Sequence, residues 1–399
     1  MAPNRLSTFI YFHLFSSIFT LLFTLLFQLF SPIGHCSPVA SAWTPQPAVS
    51  AAAARKDKHL DLALDPNTRS GGENGFDRIS FTHCALPEVS LSAIDLSTEF
   101  LGYQLKAPLM IGAMTGGTTR AEQINHALAD VAEAQSIALA VGSQRAALEA
   151  GQTACRLRDL APHIPIIGNL GGVQLAQSGG LDLARAAIDD LQADAIAIHL
   201  NPLQEAVQPE GETDWTGVKS AIAALVKNVA TPVIVKEVGA GINAVLAAEL
   251  FDMGVAAVDV AGFGGTNWAR IEAARRDGDA EIFAPFFDWG MPTVDCLRTV
   301  CHACPGQLVI ASGGVRHGLD AAKAIRLGAA MVSAAGPMLA HLVADDGDLD
   351  TPKLEDFITG WKKQMTLALF LTGAPNLKAF GGVEMRYEGD LTPPRAAGL

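Results

Sequence analysis

The chain has 399 residues, 49% hydrophobic and 17% charged, with 38 Gly and 21 Pro. That is ample for a large buried core and excludes a disordered, collagen-like or coiled-coil protein. Lys and Arg number 28 against 41 Asp and Glu, a net of −13. So acidic a chain is a poor partner for nucleic acid or anionic lipid, and an anionic ligand must be held by local cations, dipoles or a metal. Six unevenly spaced cysteines make no disulfide framework and read as reduced thiols of a cytosolic protein.

Residues 1–54 differ in texture from the rest. Leu6 to Phe30 is a run of 25 uncharged residues rich in Leu and Phe. As a helix it would reach roughly 37 Å, enough to cross a bilayer. Three readings fit: a signal peptide with Ala40-Ser41-Ala42 as cleavage site, a membrane anchor through residues 6–30, or upstream sequence from a misassigned start. Residues 38–54 are rich in Pro, Ala and Ser and read as linker. The globular domain is expected over 55–399, in the cytoplasm, with membrane contact only if the extension is retained.

From there a pattern repeats. A short apolar run ends in a Gly-rich or polar loop, and an Ala/Leu-rich amphipathic stretch follows. The runs are Pro108–Ala113, Ile137–Val141, Ile164–Gly168, Ala195–His199, Pro232–Val235, Ala256–Val260, Leu308–Ala311 and Met331–Ala334. Strands apolar on both faces belong to parallel sheets covered by helices. Helical patterns at Glu122–Gln135, Leu181–Leu191, Trp215–Val229, Ala244–Met253 and Leu319–Leu327 supply the crossovers. Eight such units predict a TIM (β/α)8 barrel of the α/β class, with chemistry at the carboxyl ends of the strands. The rival open sheet would carry G-x-G-x-x-G after the first strand, where Gly112–Gly117 does not match. The long stretch from Gly262 to Gln307 is expected to hold an active-site insertion or lid.

The strand ends carry the chemistry. The first run leads into Ala113-Met114-Thr115, and the second ends Ser143-Gln144-Arg145, where Arg145 is suited to fork a phosphate. The third ends at Asn169. The fourth ends His199-Leu200-Asn201-Pro202-Leu203-Gln204-Glu205, and Glu205 can give Mg²⁺ the single carboxylate it needs when a diphosphate supplies further oxygens. Lys236 closes the fifth run. It is either paired with Glu237 or a neighbouring carboxylate, or set beside the electron-rich edge of a flavin ring. The sixth leads into Gly264-Gly265-Thr266 and Trp268. The seventh and eighth end Ser312-Gly313-Gly314-Val315-Arg316 and Ala335-Gly336, the usual place for a phosphate in this barrel. A mononucleotide such as FMN fits better there than free phosphate. Ahead of the barrel, the basic cluster Arg55-Lys56-Asp57-Lys58-His59 reads as solvated surface or as a strap over the mouth. Cys296, Cys301 and Cys304 have iron–sulfur-like spacing, but Thr293–Cys304 reads as a helix outside the barrel.

With these strings assembled, the chain from Arg55 to about Met385 resembles the type 2, FMN-dependent isopentenyl-diphosphate delta-isomerases. Arg55-Lys56 with His59, Ser143-Gln144-Arg145, the string from His199 to Glu205, Val235-Lys236-Glu237, Asp288-Trp289-Gly290 and Ser312–Arg316 carry the resemblance. It implies a reaction that interconverts isopentenyl and dimethylallyl diphosphate with reduced FMN, Mg²⁺ and NADPH. It further implies that Ala113, Met114, Thr115, Ser143, Asn169, Lys236, Thr266, Gly313, Gly314, Val315, Arg316, Ala335 and Gly336 hold FMN. Arg55, Lys56, Ser143, Gln144, Arg145, His199, Asn201 and Gln204 would contact a small-molecule diphosphate, and Glu205 would ligate Mg²⁺. Gln204, His199 and Lys236 would serve the chemistry itself, in a homotetramer or larger assembly. Residues 1–54 depart from typical members. A 2-hydroxy-acid oxidase on the same barrel would need a histidine in the loop Gly262–Trp268, which has none.

Overall fold

The computed structural model describes residues 49–114, 116–151, 154, 156–276 and 278–388, with side chains from Arg55 onward. By its internal contacts the chain divides at Ala40, and all of these residues belong to the unit Ser41–Leu399. The apolar run at 6–30 therefore lies outside the described residues. No described helix is long and apolar enough to cross a membrane.

Eight parallel strands close into a barrel: β1 (Leu109–Ile111), β2 (Ala138–Ala140), β3 (Ile166–Gly171), β4 (Ala195–Leu200), β5 (Val233–Glu237), β6 (Ala257–Asp259), β7 (Leu308–Ala311) and β8 (Met331–Ala334). They follow one another in chain order, and β8 pairs back onto β1 with Val332 opposite Leu109. β1, β2, β6 and β8 are buried along their whole length, because the barrel interior covers one face and the helices the other. Each strand overlaps one of the eight apolar runs.

The crossover helices lie where the amphipathic patterns put them. Thr119–Gln135 starts at an N-cap, Thr118, whose hydroxyl accepts from Ala121 N. Gly180–Leu191, Val218–Asn228, Ala244–Asp252 and Gly318–Arg326 follow. Thr293–Ala303 is the helix after β6, so part of the stretch from Gly262 to Gln307 is a crossover rather than an insertion. Cys296 sits buried on it and Cys304 buried at its end, and burial pushes the Cys296 thiol up to about 12. The remaining insertion is the short helix Trp268–Ala273 and the turn of 3₁₀ helix Ala280–Phe286.

Two elements depart from the sequence reading. Residues 49–54, read as linker, are wound into the helix Val49–Leu64, which carries the basic cluster. A 21-residue helix, Thr351–Leu371, packs outside the barrel on Gly318–Arg326. The contact is close because Gly318 has no side chain: a Cβ there would fall 2.1 Å from the Trp361 carbonyl oxygen. A two-stranded ribbon, Ile79–Phe81 against Met385–Tyr387, joins the segment before the barrel to the one after it.

Candidate active site

A cavity of about 600 Å³ opens at the carboxyl ends of the strands, as the barrel geometry requires. Its floor includes a row of three register partners on adjacent strands, His199 beside Lys236 and Lys236 beside Asp259. His199 Nδ1 lies 2.8 Å from Asn169 Oδ1, while Asn169 Nδ2 donates to Val141 O at 3.1 Å. With the Asn169 oxygen thus the acceptor, the imidazole carries its proton on Nδ1 and offers Nε2 as a lone pair. Desolvation, then the charges of Lys236 and Lys56, push its pKa down to about 3, so the ring is neutral at working pH. Lys236 Nζ donates to Glu237 O at 2.6 Å. The Glu237 carboxylate faces away and accepts the N–H groups of Val238, Gly239, Ala240 and Gly241. Lys236 is thus not paired with the Glu237 side chain.

The loop after β4 gathers the amides and carboxylates. Asn201 donates to Gln204 Oε1 at 3.1 Å and to Glu205 Oε1 at 3.0 Å. Gln204 Nε2 in turn donates to Glu272 Oε1 at 2.9 Å. Glu272 comes from the helix Trp268–Ala273 and is fully buried. Burial opposes its ionisation, but His59, Gln204 and Arg275 together hold its carboxyl below the usual range. His59 Nε2 stands 3.1 Å from the same oxygen, and its ring meets Trp268 edge-on. Among the described residues Glu205 Oε2 accepts only Glu212 N, at 2.8 Å. Each oxygen of this buried carboxylate therefore holds one hydrogen bond and keeps lone-pair capacity toward the cavity. That is a hard donor suited to one Mg²⁺ contact. Among the described residues no cluster of three or more His, Cys, Asp or Glu forms a protein-only metal cage.

The cations reach the same cavity from the helix ahead of the barrel and from the loop after β2. Arg55, Lys56, His59, Leu60 and Ala63 line the cavity from the helix Val49–Leu64, at the i, i+3, i+4 spacing of one face. Asp57 accepts the Thr118 hydroxyl at 2.7 Å and pins that helix to the barrel. Lys56 Nζ donates to Ser143 O at 3.1 Å. Arg145 holds Glu149 at 2.8 Å and Glu212 at 3.0 and 3.1 Å. The loops after β7 and β8 approach those after β6 and β1 so closely that only glycine fits. Gly313 and Gly314 have φ of +91° and +68°, and a Cβ on Gly314 would lie 2.6 Å from the Gly264 backbone. This is a backbone cradle of the kind that closes on phosphate.

The structure brings together on this cavity all the residues singled out from the sequence except two. Thr115 lies outside the described residues. Gln144, expected at the substrate, is instead structural: buried, it donates to Ala187 O at 2.9 Å and accepts Asn169 N at 3.0 Å, tying the end of β2 to β3. Arg316 lines the cavity, but its backbone N–H donates to Asp320 and its guanidinium is held by Asp77 and Asp320. Sequence reading missed Glu272, Glu212, Asp259 and Arg69. Glu272 follows Trp268 by one helical turn, and that spacing was the available signal.

A closed β/α barrel with its glycine cradle after β7 and β8 defines a mononucleotide-binding barrel enzyme, and the chain belongs to the family described as FMN-dependent dehydrogenase, whose signature matches residues 61–155 and 178–384. A mandelate oxidase structure shares the fold at 15% identity, with a TM-score of 0.58 over 84% of this chain and 99% of that one. Much closer in sequence is the isopentenyl-diphosphate delta-isomerase of Xanthobacter autotrophicus, 49% identical over 84% of this chain and 98% of that protein. That of Pseudescherichia vulneris is 45% identical over 84% and 97%. Within the FMN-dependent barrels the chain therefore belongs to the type 2 isopentenyl-diphosphate delta-isomerases.

Proposed function

We propose that the protein interconverts isopentenyl diphosphate and dimethylallyl diphosphate for isoprenoid biosynthesis, by a 1,3-allylic proton shift without net oxidation. It does so with reduced FMN, Mg²⁺ and NADPH as the reductant of the flavin. The observation that carries this reading is one cavity lined by Gln204, His199, Asn201 and Glu205 together with Arg55, Lys56 and Arg145. An oxidase or a simple flavin carrier needs no such pairing of a metal carboxylate with a cationic strap.

Reduced FMN, when bound, supplies a ring nitrogen able to give and take the proton that ordinary side-chain acids cannot deliver to an unactivated alkene. Ala113, Met114, Thr115, Ser143, Asn169, Thr266, Gly313–Arg316 and Ala335-Gly336 would hold it, with Lys236 beside the ring as the fixed positive charge. Arg55, Lys56 and Arg145 would neutralise the diphosphate, and Glu205 would hold Mg²⁺, which would supply further positive charge to it. Arg145 is already satisfied by Glu149 at Nε and by Glu212 at Nη1, so Glu212 or Glu149 must yield when substrate enters. Neutral His199 accepts a hydrogen bond at Nε2 and excludes a second positive charge from beside Lys236. Gln204, held at both ends by Asn201 and Glu272, orients the reacting carbons and is no acid itself. The cytoplasm and a homotetramer or larger complete the proposal.

The test uses the chain from Arg55 onward, reduced anaerobically with NADPH and Mg²⁺, then given isopentenyl diphosphate in deuterated water and followed by NMR. Dimethylallyl diphosphate carrying solvent deuterium, with no oxidised product, is the expected result. Bound FMN with no conversion refutes it.

A further inference from the structure

A flavin mononucleotide brings a phosphate dianion to the glycine cradle, and its charge needs a partner. Arg316, the arginine next to the cradle, is already committed. Its guanidinium makes two 2.7 Å bonds to Asp77 and bonds of 2.8 and 3.1 Å to Asp320. Arg69 is placed to do what Arg316 cannot. It lies between two short turns of the segment leading to the barrel, in an antiparallel bridge directly opposite Thr266. Directly opposed residues of such a bridge project on the same face, with Cβ atoms about 5 Å apart. Thr266 itself stands between the two phosphate loops: a Cβ on Gly336 would fall 3.0 Å from its hydroxyl, and one on neighbouring Gly265 would fall 2.8 Å from Gly314 N.

The segment is well anchored there. Ser70 N donates to Gly265 O at 2.8 Å, Asn267 N to Thr68 O at 3.0 Å, and Asn74 Nδ2 to Gly314 O at 2.6 Å. Arg69 lines the cavity, is exposed, and its guanidinium makes no ion pair or hydrogen bond among the described residues. A planar fork of donors on a fixed backbone at the edge of a phosphate cradle can serve as a phosphate clamp.

We propose that Arg69 clamps the terminal phosphate monoester of the flavin from the side opposite the glycine loops, an inference that rests on the cradle holding FMN. The full-length chain, freed of flavin, is titrated with FMN and with riboflavin, following flavin fluorescence. Wild type is expected to prefer FMN. Arg69→Gln should weaken FMN by about tenfold or more while leaving riboflavin unchanged, and Arg69→Lys should recover part of the loss. Unchanged riboflavin affinity also shows that the variant is folded. An unaltered FMN-to-riboflavin ratio in Arg69→Gln, or equal weakening of both, overturns the clamp and leaves the flavin site standing. A wild-type chain that takes up neither flavin overturns the site and the clamp together.

Discussion

Lys56 gives the sharpest handle on substrate binding, because the fold has made its charge labile. Burial on the cavity wall is the largest cause, the neighbouring Arg55 and Arg145 add to it, and only Glu149 opposes. The result is a pKa lowered to about 8. An amine with that pKa is about nine-tenths protonated at pH 7 and about one-tenth at pH 9. Because the diphosphate binds the ammonium form, kcat/KM, which reports the free enzyme, should fall by about tenfold over that interval. The same depression has a stability sign: between about 8 and 10.5 the unfolded chain holds the proton the folded one has released, so this group favours folding more as pH rises. The assay is kcat/KM for isopentenyl diphosphate from pH 6.5 to 9.5 at fixed Mg²⁺, in wild type and Lys56→Arg. Guanidinium stays charged throughout, so the alkaline limb should vanish in the variant. A limb that persists in Lys56→Arg, or is missing from wild type, refutes the reasoning.

Three further outcomes follow from other parts of the structure. His199, whose pKa is lowered to about 3, should show a neutral imidazole by ¹⁵N NMR from pH 5 to 9, and a titration near 6.5 would contradict its placement. Glu205→Gln should cut activity by at least about 100-fold at low Mg²⁺ and recover in part at high Mg²⁺, with FMN retention unchanged. Trp361 is 1% exposed and packs edge-on against Phe357, so Trp361→Ala should cost about 3–5 kcal/mol in denaturant unfolding while the purified enzyme keeps its kcat.

How much of this was legible beforehand depended on whether the signal was periodic. The eight strands announced themselves because a strand buried on both faces has almost no polar residue until it ends, and the polar residue that ends it is the site. His199, Lys236 and Ser143 were singled out in that way, and all three line the cavity. The helix Val49–Leu64 was obscured because its first turns are Ala-rich sequence that reads as linker, although Lys56, His59, Leu60 and Ala63 already mark one helical face. Gln144 misled for a related reason. An amide between a serine and an arginine at a strand end is as suited to bracing two backbones as to touching a ligand, and only the register of β2 against β3 decides. Glu272, Glu212 and Arg69 join the cavity from loops and short helices whose paths no periodicity predicts.

The ribbon of Ile79–Phe81 with Met385–Tyr387 has a consequence for how the chain comes into being. Its two strands are far apart in the chain, as are β1 and β8, which must meet to shut the barrel. Pairings this distant in sequence are formed late and slowly. A nascent chain that has not reached β8 holds the basic helix and most residues of the cavity, yet its barrel is open. Ala335 and Gly336 follow β8, and the ribbon strand Met385–Tyr387 comes later still. The barrel therefore closes only after β8 has been made, and a chain truncated before Met385 would leave Ile79–Phe81 without its pairing strand and open to other partners.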